Sequence, residues 1–280
     1  MKTILAPTDF SNSSLNAVNY AADLALSINA KLVLFHAIPF PIAISEISIP
    51  GDVIDDMMDV DQRDIDDLHK ILEDRTRGKI IITTDVKIGN AEQEIENICL
   101  KEKPLAIVMG IRSGKSLERA IMGSSVFHIM NHVAFPTLII PENVIYSDIK
   151  NIGLLCDLQK TGEQLPIEAI MEWLFLFKAR LDIINISARD KEFNIDQSIE
   201  SIAIQKRLNA FNPAFHWLTS VDIAEEINEF VKTHPLDLLM VFPGKHGIFR
   251  IFHKKKSRFI ATHNELPVLS IHKLSLKPNA

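Results

Sequence analysis

A chain of 280 residues is long for one compact domain and comfortable for two of ordinary size. With 47% hydrophobic and 24% charged residues it lies near the globular average, which excludes a fibrous architecture or long disorder. The formal net charge of −6 argues against broad attachment to nucleic acid or to an anionic membrane, and leaves only a local basic patch at Lys254, Lys255 and Lys256.

The chain opens MKTILAPTDF, where a short apolar stretch meets Pro7 and Asp9 too soon to make a secretory core region. A first strand is predicted over Thr3 to Ala6. After the Pro7-Thr8-Asp9 loop, Leu15, Val18, Ala22, Ala25 and Leu26 recur at helical spacing, with Ser11 or Asn12 placed to cap the helix. A second strand follows over Lys31 to Ala37. The segment Asp52 to Asp67 carries Asp55, Asp56, Asp59, Asp61, Asp64 and Asp66 but lacks the alternation and central glycine of a calcium loop, and reads as an exposed acidic helix face. Strands over Lys79 to Val86, Leu105 to Gly110 and Thr137 to Ile140 complete a set of five, alternating with helix-length amphipathic stretches. Pro141 to Asp148 reads as a short linker. The later apolar stretch Trp173 to Phe177, flanked by Glu172 and Lys178, is too brief to span a bilayer, and the expected location is cytoplasmic, with no membrane and no nucleic acid among the partners. Cys99 and Cys156 sit in apolar surroundings without metal-type spacing and read as buried free thiols.

The same module occurs twice. Residues 104 to 141 superimpose without a gap on residues 235 to 272, so that Pro104, His132 and Pro136 fall on Pro235, His263 and Pro267, each 131 positions apart. KNIGLLCDLQ at 150 likewise repeats KTILAPTDFS at 2, with Asp157 matching Asp9, and ARLDIINI at 179 repeats AKLVLFHAI at 30. The fold class that follows is α/β, two tandem doubly wound, Rossmann-like modules of five parallel strands in the order 3-2-1-4-5 with helices on both faces. Residues 1–145 form the module with the candidate site and 149–280 the degenerate one. In the repeat register Gly110, Gly114, Gly123 and Ser124 become Val241, Lys245, Lys254 and Lys255. Side chains there would project where bare backbone has to approach a ligand, so one site is kept and one lost.

The segment Gly110-Ile-Arg-Ser-Gly114-Lys115-Ser116 is one residue short of a P-loop, and it follows the fourth strand. What survives is physical. A buried strand ends at Met109, the glycines permit close approach of backbone, and Gly123-Ser124-Ser125 opens a helix whose first amides are free donors. In this strand order the first and fourth strands flank the crevice where the crossover direction reverses, which brings Pro7-Thr8-Asp9 beside Gly110 to Gly123. The alternative is that these glycines serve only turns and helix packing.

The opening ILAPTDFS, the strand ending LVLFHAI, the VMG strand, the glycines through GSS and the closing FPTLII together resemble the universal stress protein family, here as a tandem pair. The resemblance implies a stress-response protein that binds rather than catalyses. Members divide into ATP-binding and non-binding types, and the binding type carries glycine, two residues, glycine, nine residues, then glycine and serine or threonine. Gly110, Gly123 and Ser124 stand at that overall separation, while Ser113 occupies the middle glycine's place with Gly114 one position later. By resemblance Asp9 approaches a ribose, Ala37 contacts adenine through its backbone, Thr8 and Pro7 shape the nucleoside wall, and Gly110, Gly114, Gly123, Ser124, Ser125 and Val126 surround the phosphates, with Met109 a further cofactor-binding candidate. The cofactor so implied is ATP, with or without magnesium.

Competing readings stand beside these. Asp9 is either a ligand contact or part of a helix cap. Lys115 and Arg119 offer countercharge or a solvated face. His128 and His132, four apart on a predicted helix, lack a third metal ligand, and His132 fits a capping or packing role; no metal site is expected. No serine, histidine and acid set is visible, so the activity expected is at most slow ATP hydrolysis. The functional reading is a sensor or regulator that binds an adenine nucleotide and an unidentified protein partner, as an internal pseudo-dimer or a homodimer of tandem chains. The alternative is a protein-interaction or small-ligand module without nucleotide. The final strands, near Thr137 to Ile140 and Val268 to Ile271, are the candidate edges for pairing of the two modules.

Overall fold

The computed structural model describes residues 1–39, 51–112, 123–156, 165–186, 202–218, 223–242 and 266–272. In the first half the elements are β1 (Thr3–Thr8), α1 (Asn12–Ser27), β2 (Lys31–Ile38), α2 (Gly51–Thr76), β3 (Ile82–Ile88), α3 (Ala91–Glu102), β4 (Ala106–Ile111), α4 (Ser124–His132) and β5 (Thr137–Pro141). The second half supplies β6 (Asn151–Cys156), β7 (Arg180–Ile186), β8 (Ala214–Leu218), β9 (Leu238–Val241) and β10 (Val268–Ser270), with helices Ile167–Phe177 and Ile223–Thr233 between them. Each predicted first-half strand is present, with the third shifted to start at Ile82 because Lys79, Ile80 and Ile81 carry the chain out of α2.

All the described strands lie in one sheet, in the order β3-β2-β1-β4-β5-β10-β9-β6-β7-β8. Each half is therefore a 3-2-1-4-5 arrangement of parallel strands, and the halves meet where β5 pairs antiparallel with β10, Ile139 opposite Val268 and Thr137 opposite Ser270. These are the two strands whose edges the sequence left for pairing, and joining them removes two exposed edges at once.

Strand residues alternate between two cores. On one face Ile4, Ala6, Ala106 and Val108 pack with Val18, Ala21 and Ala25 of α1 and with Ile65 and Leu72 of α2. On the other, Leu5, Ile107 and Met109 pack with Ile95 and Ile98 of α3 and with Val126 and Ile129 of α4. Both faces are covered, as a parallel sheet requires. The first core runs on through Ile152, Trp173 and Leu181, so apolar packing continues across the junction between the halves. Cys99 and Cys156 are buried free thiols, and burial pushes the Cys99 thiol up to about 12.

The acidic segment is helical within α2, with Ile65, Leu68 and Leu72 turned to the core and Asp59, Asp64, Asp66 and Asp67 exposed. The linker lies along α1: Asn16 donates from Nδ2 to the carbonyls of Pro141 at 3.1 Å and Val144 at 2.9 Å, and Tyr146 donates to Ser27 Oγ at 2.6 Å. Among the described residues no helix is long and apolar enough to cross a membrane.

Candidate functional site

Three helix starts gather near the carboxyl ends of β1, β2 and β4, and the capping of each decides what it offers. At α1 the side chain of Ser11 accepts the amide of Ser14, and at α3 that of Asn90 accepts the amide of Gln93 at 3.0 Å. At α4 the cap is Gly123, which has no side chain to give. The first amides of α4, at Ser124, Ser125 and Val126, thus have no side-chain cap and, among the described residues, no acceptor, which leaves them to face an anion.

These three residues line a cavity of about 390 Å³. Pro7, Thr8, Asp9, Ala37, Met109, Gly110 and Gly123 line it as well, so each site residue expected from sequence that falls within the described part is brought to one place. Gly114 lies outside the described residues, with Ser113, Lys115, Ser116 and Arg119. Phe35, Ala37, Ile95, Met109 and Ile111 give the lining an apolar part. The cavity thus combines serines and backbone amides with apolar side chains.

The β1–α1 loop is held from within. Asp9 Oδ1 accepts the Ser11 amide at 3.0 Å and the Ser11 hydroxyl at 2.6 Å, an Asx turn that fixes the residue capping α1. Burial pushes the Asp9 carboxyl up, but hydrogen bonds from Ser11 and Ser14 outweigh it and hold the group below its ordinary value. Asp9 is thus a support for the cap and a lining residue together. Thr8 is buried, its hydroxyl 3.1 Å from Ser14 Oγ and accepting the Phe10 amide at 3.0 Å. Phe10 takes φ of 59°, a left-handed conformation costly for a bulky residue, and packs on His36 with ring centroids 4.8 Å apart. The His36 ring is buried, and because a carbonyl only accepts, its Nδ1–H donates to Thr8 O at 2.8 Å.

The two candidate-site glycines among the described residues have different reasons to be glycine. A Cβ on Gly110 would lie 2.0 Å from Ser13 O, so β4 passes against the start of α1 with no space for a side chain. A Cβ on Gly123 would meet nothing within 4 Å. Gly110 is required by the fold; Gly123 is not. Sequence reasoning did not find Ser11, Ser13, Ser14 or Phe35 as lining residues, nor Arg112, which stands exposed at the end of β4 on the rim. Arg112 follows Gly110 by two positions, and that was the signal available for it.

His128 and His132 stack with centroids 4.5 Å apart, His132 Nδ1–H donating to His128 O at 3.1 Å. That is a local role near the helix end, and among the described residues no group of three or more metal-ligating side chains is arranged to hold an ion.

In the second half the ungapped repeat register does not hold at β9: Ile152 pairs with Leu238 where Ile4 pairs with Ala106, so the buried Phe242, and not Val241, stands where Gly110 stands in the first, while Cys156 takes the place of Thr8. The first helix of this half begins at Ile167 behind Pro166, whereas α1, carried over by the repeat, would begin near residue 161. Leu165 and Pro166 are described and are not helical, while residues 157–164 lie outside the described residues. Asp157, Lys245, Lys254, Lys255, Lys256 and His263 lie outside the described residues.

Comparison with known proteins agrees with this architecture. The model of the universal stress protein family matches residues 1–141, half of the chain. The chain belongs to the universal stress protein family. Universal stress protein MJ0531 of Methanocaldococcus jannaschii is 26% identical over 148 residues, 50% of this chain and 82% of that one. A universal stress protein from Archaeoglobus fulgidus superposes with a TM-score of 0.74 at 16% identity, covering 97% of this chain and 98% of its own. A functionally unknown protein from Pseudomonas aeruginosa superposes with a TM-score of 0.57 at 13% identity, covering 97% and 92%. At those identities the two structures speak for the fold of the whole chain and not for a ligand.

Proposed function

We propose that this universal stress protein binds an adenine nucleotide, ATP, in the cavity of its first module, residues 1–145, and works in the cytoplasm as a sensor or regulator by binding rather than turnover. The second module, residues 149–280, has no working counterpart of that cavity. The observation that carries the reading is one cavity lined both by the uncapped start of α4, whose amides suit phosphate, and by Phe35, Ile95 and Met109, whose apolar side chains suit a planar base. Asp9 stands at the rim for a ribose hydroxyl, and Arg112 adds a cation beside the amides. Magnesium, where present, would travel with the phosphates.

Calorimetric titration with ATP and magnesium tests this, with Gly123→Lys beside the native chain. One site per chain, lost in the variant, is the expected result. A native chain that takes up no nucleotide would sink the reading and leave the second one, an interaction or small-ligand module without nucleotide. The close packing of Gly110 on Ser13 favours that second reading, since it explains this glycine by architecture alone.

A further inference from the structure

We propose that His272, a residue of the second half, is a positioning residue for the cavity of the first: it holds the far end of α4 and thereby sets where the open end of that helix stands. The consequence for affinity rests on the nucleotide reading above; the positioning itself rests on geometry.

α4 has nine residues and is therefore about 13 Å long, so its two ends are rigidly connected. Its front end carries no side-chain cap. At its back end the carbonyl of Ile129 accepts the Val133 amide at 3.1 Å, and the carbonyl of Met130 accepts His272 Nε2–H at 2.8 Å. Met130 is buried, so a carbonyl left without that donor would be poorly served by water. A donor at a helix C-terminus also complements the helix dipole. Burial pushes the pKa of His272 down and the nearby His132 acts the same way, against the hydrogen bond to Met130, so the ring serves as a neutral donor.

The donor is delivered by a fixed element. His272 follows β10 by two residues, and β10 is locked to β5 by the antiparallel ladder. Among the described residues, other side-chain bonds on α4 include one internal to it, from Asn131 Nδ2 to Phe127 O at 2.6 Å, and a contact with α3, where His128 Nδ1 lies 3.6 Å from Glu92. In the repeat register His272 falls on Pro141, which has no side-chain donor. The brace therefore runs one way, from the half that has lost its crevice to the half that keeps one, and gives the degenerate module a function in the site.

The test uses the full chain as His272→Ala and His272→Gln, since the glutamine amide can reach the same carbonyl. Amide exchange of the ligand-free protein is followed at α4, with β1 and β2 as internal reference, and ATP affinity is measured by calorimetry. For His272→Ala we expect exchange in α4 to rise about tenfold with β1 and β2 unchanged, and ATP to bind roughly five- to tenfold more weakly. His272→Gln should return both to within about twofold of native. Unchanged exchange in α4, or a uniform rise across the sheet, would overturn the proposal. A native chain that does not bind ATP would defeat the nucleotide reading alone, because the exchange data would still decide whether His272 positions α4.

Discussion

The two halves share a strand order, but they treat the crossing of the first helix and the fourth strand in opposite ways. In the first, Gly110 lets β4 slide under the start of α1, and Ser13 and Ser14 become part of the cavity wall. In the second, Phe242 stands at that crossing and the helix starts at Ile167, behind a proline that cannot sit inside it. A side chain at the Gly110 position is incompatible with a helix start like that of α1, so the phenylalanine and the shorter helix belong together. On the proposal that the second module has lost its site, the loss is a change of backbone as well as of residue type.

The harshest way to break the comparison is to write the second half's residue into the first. Gly110→Phe would place side-chain atoms inside Ser13, where even a Cβ lies 2.0 Å from the carbonyl oxygen. We expect a loss of about 3 kcal/mol in urea denaturation together with loss of the cavity, because overpacking there can be relieved only by moving α1. A variant of native stability would mean that α1 retreats at no cost and that the crossing does not distinguish the halves.

Gly123→Lys separates binding from fold. Its Cβ would enter open space and its φ of −54° suits any residue, so stability should stay within about 0.5 kcal/mol of native. Nucleotide affinity should fall on the order of a hundredfold, or about 2.7 kcal/mol, because the side chain stands before the amides of α4. A stable variant that still binds ATP as the native chain does would show the phosphates lie elsewhere.

The sequence made the strands and most of the cavity legible for a simple reason: both are written in local runs. Short apolar blocks bounded by glycine, proline and aspartate mark β1, β2, β4 and β5, and the lining residues Thr8, Gly110 and Ser124 sit at the ends of such blocks. What escaped was set by contacts between distant segments. Ser13 and Ser14 read as ordinary first-turn residues until β4 is laid beside them, and Phe10 gives no local sign of its positive φ. The same holds for His272, whose partner lies 142 residues away. Asp9 is a mixed case. Capping and ligand contact stood as alternatives, and the structure gives it the support of the cap while leaving it on the cavity wall.

That support can be sharpened with pH. The folded carboxyl of Asp9 titrates below its ordinary 3.8, so the unfolded chain binds the proton more readily between the two values. The stability contributed is complete above about pH 3.8 and is lost as the pH falls through the lower folded value. Asp9→Asn keeps an acceptor for Ser11 and removes the titration, so its stability should depend less on pH in that window. Asp9→Ala removes the acceptor too and should cost about 1 kcal/mol at neutral pH, less where solvent screens it. Chemical denaturation between pH 2.5 and 7 would decide, on the order of one unit at a time. An unchanged acid limb in Asp9→Asn would place the lost stability on another carboxylate.

The smallest effect concerns what joins the halves. Lys2 of the first half and Glu172 of the second form an ion pair at 2.6 Å, with side chains 39% and 50% exposed. Such a pair is screened by salt and opposed by the entropy of two long side chains, so Lys2→Ala should cost about 0.5 kcal/mol or less and the cost should vanish at high salt. The β5–β10 ladder and the apolar core that continues through Ile152 and Trp173 are what hold the halves together, and neither responds to salt in that way. A loss of several kcal/mol in Lys2→Ala would reverse that ranking, and would make the junction, and the His272 brace that depends on it, sensitive to the ionic strength of the cell.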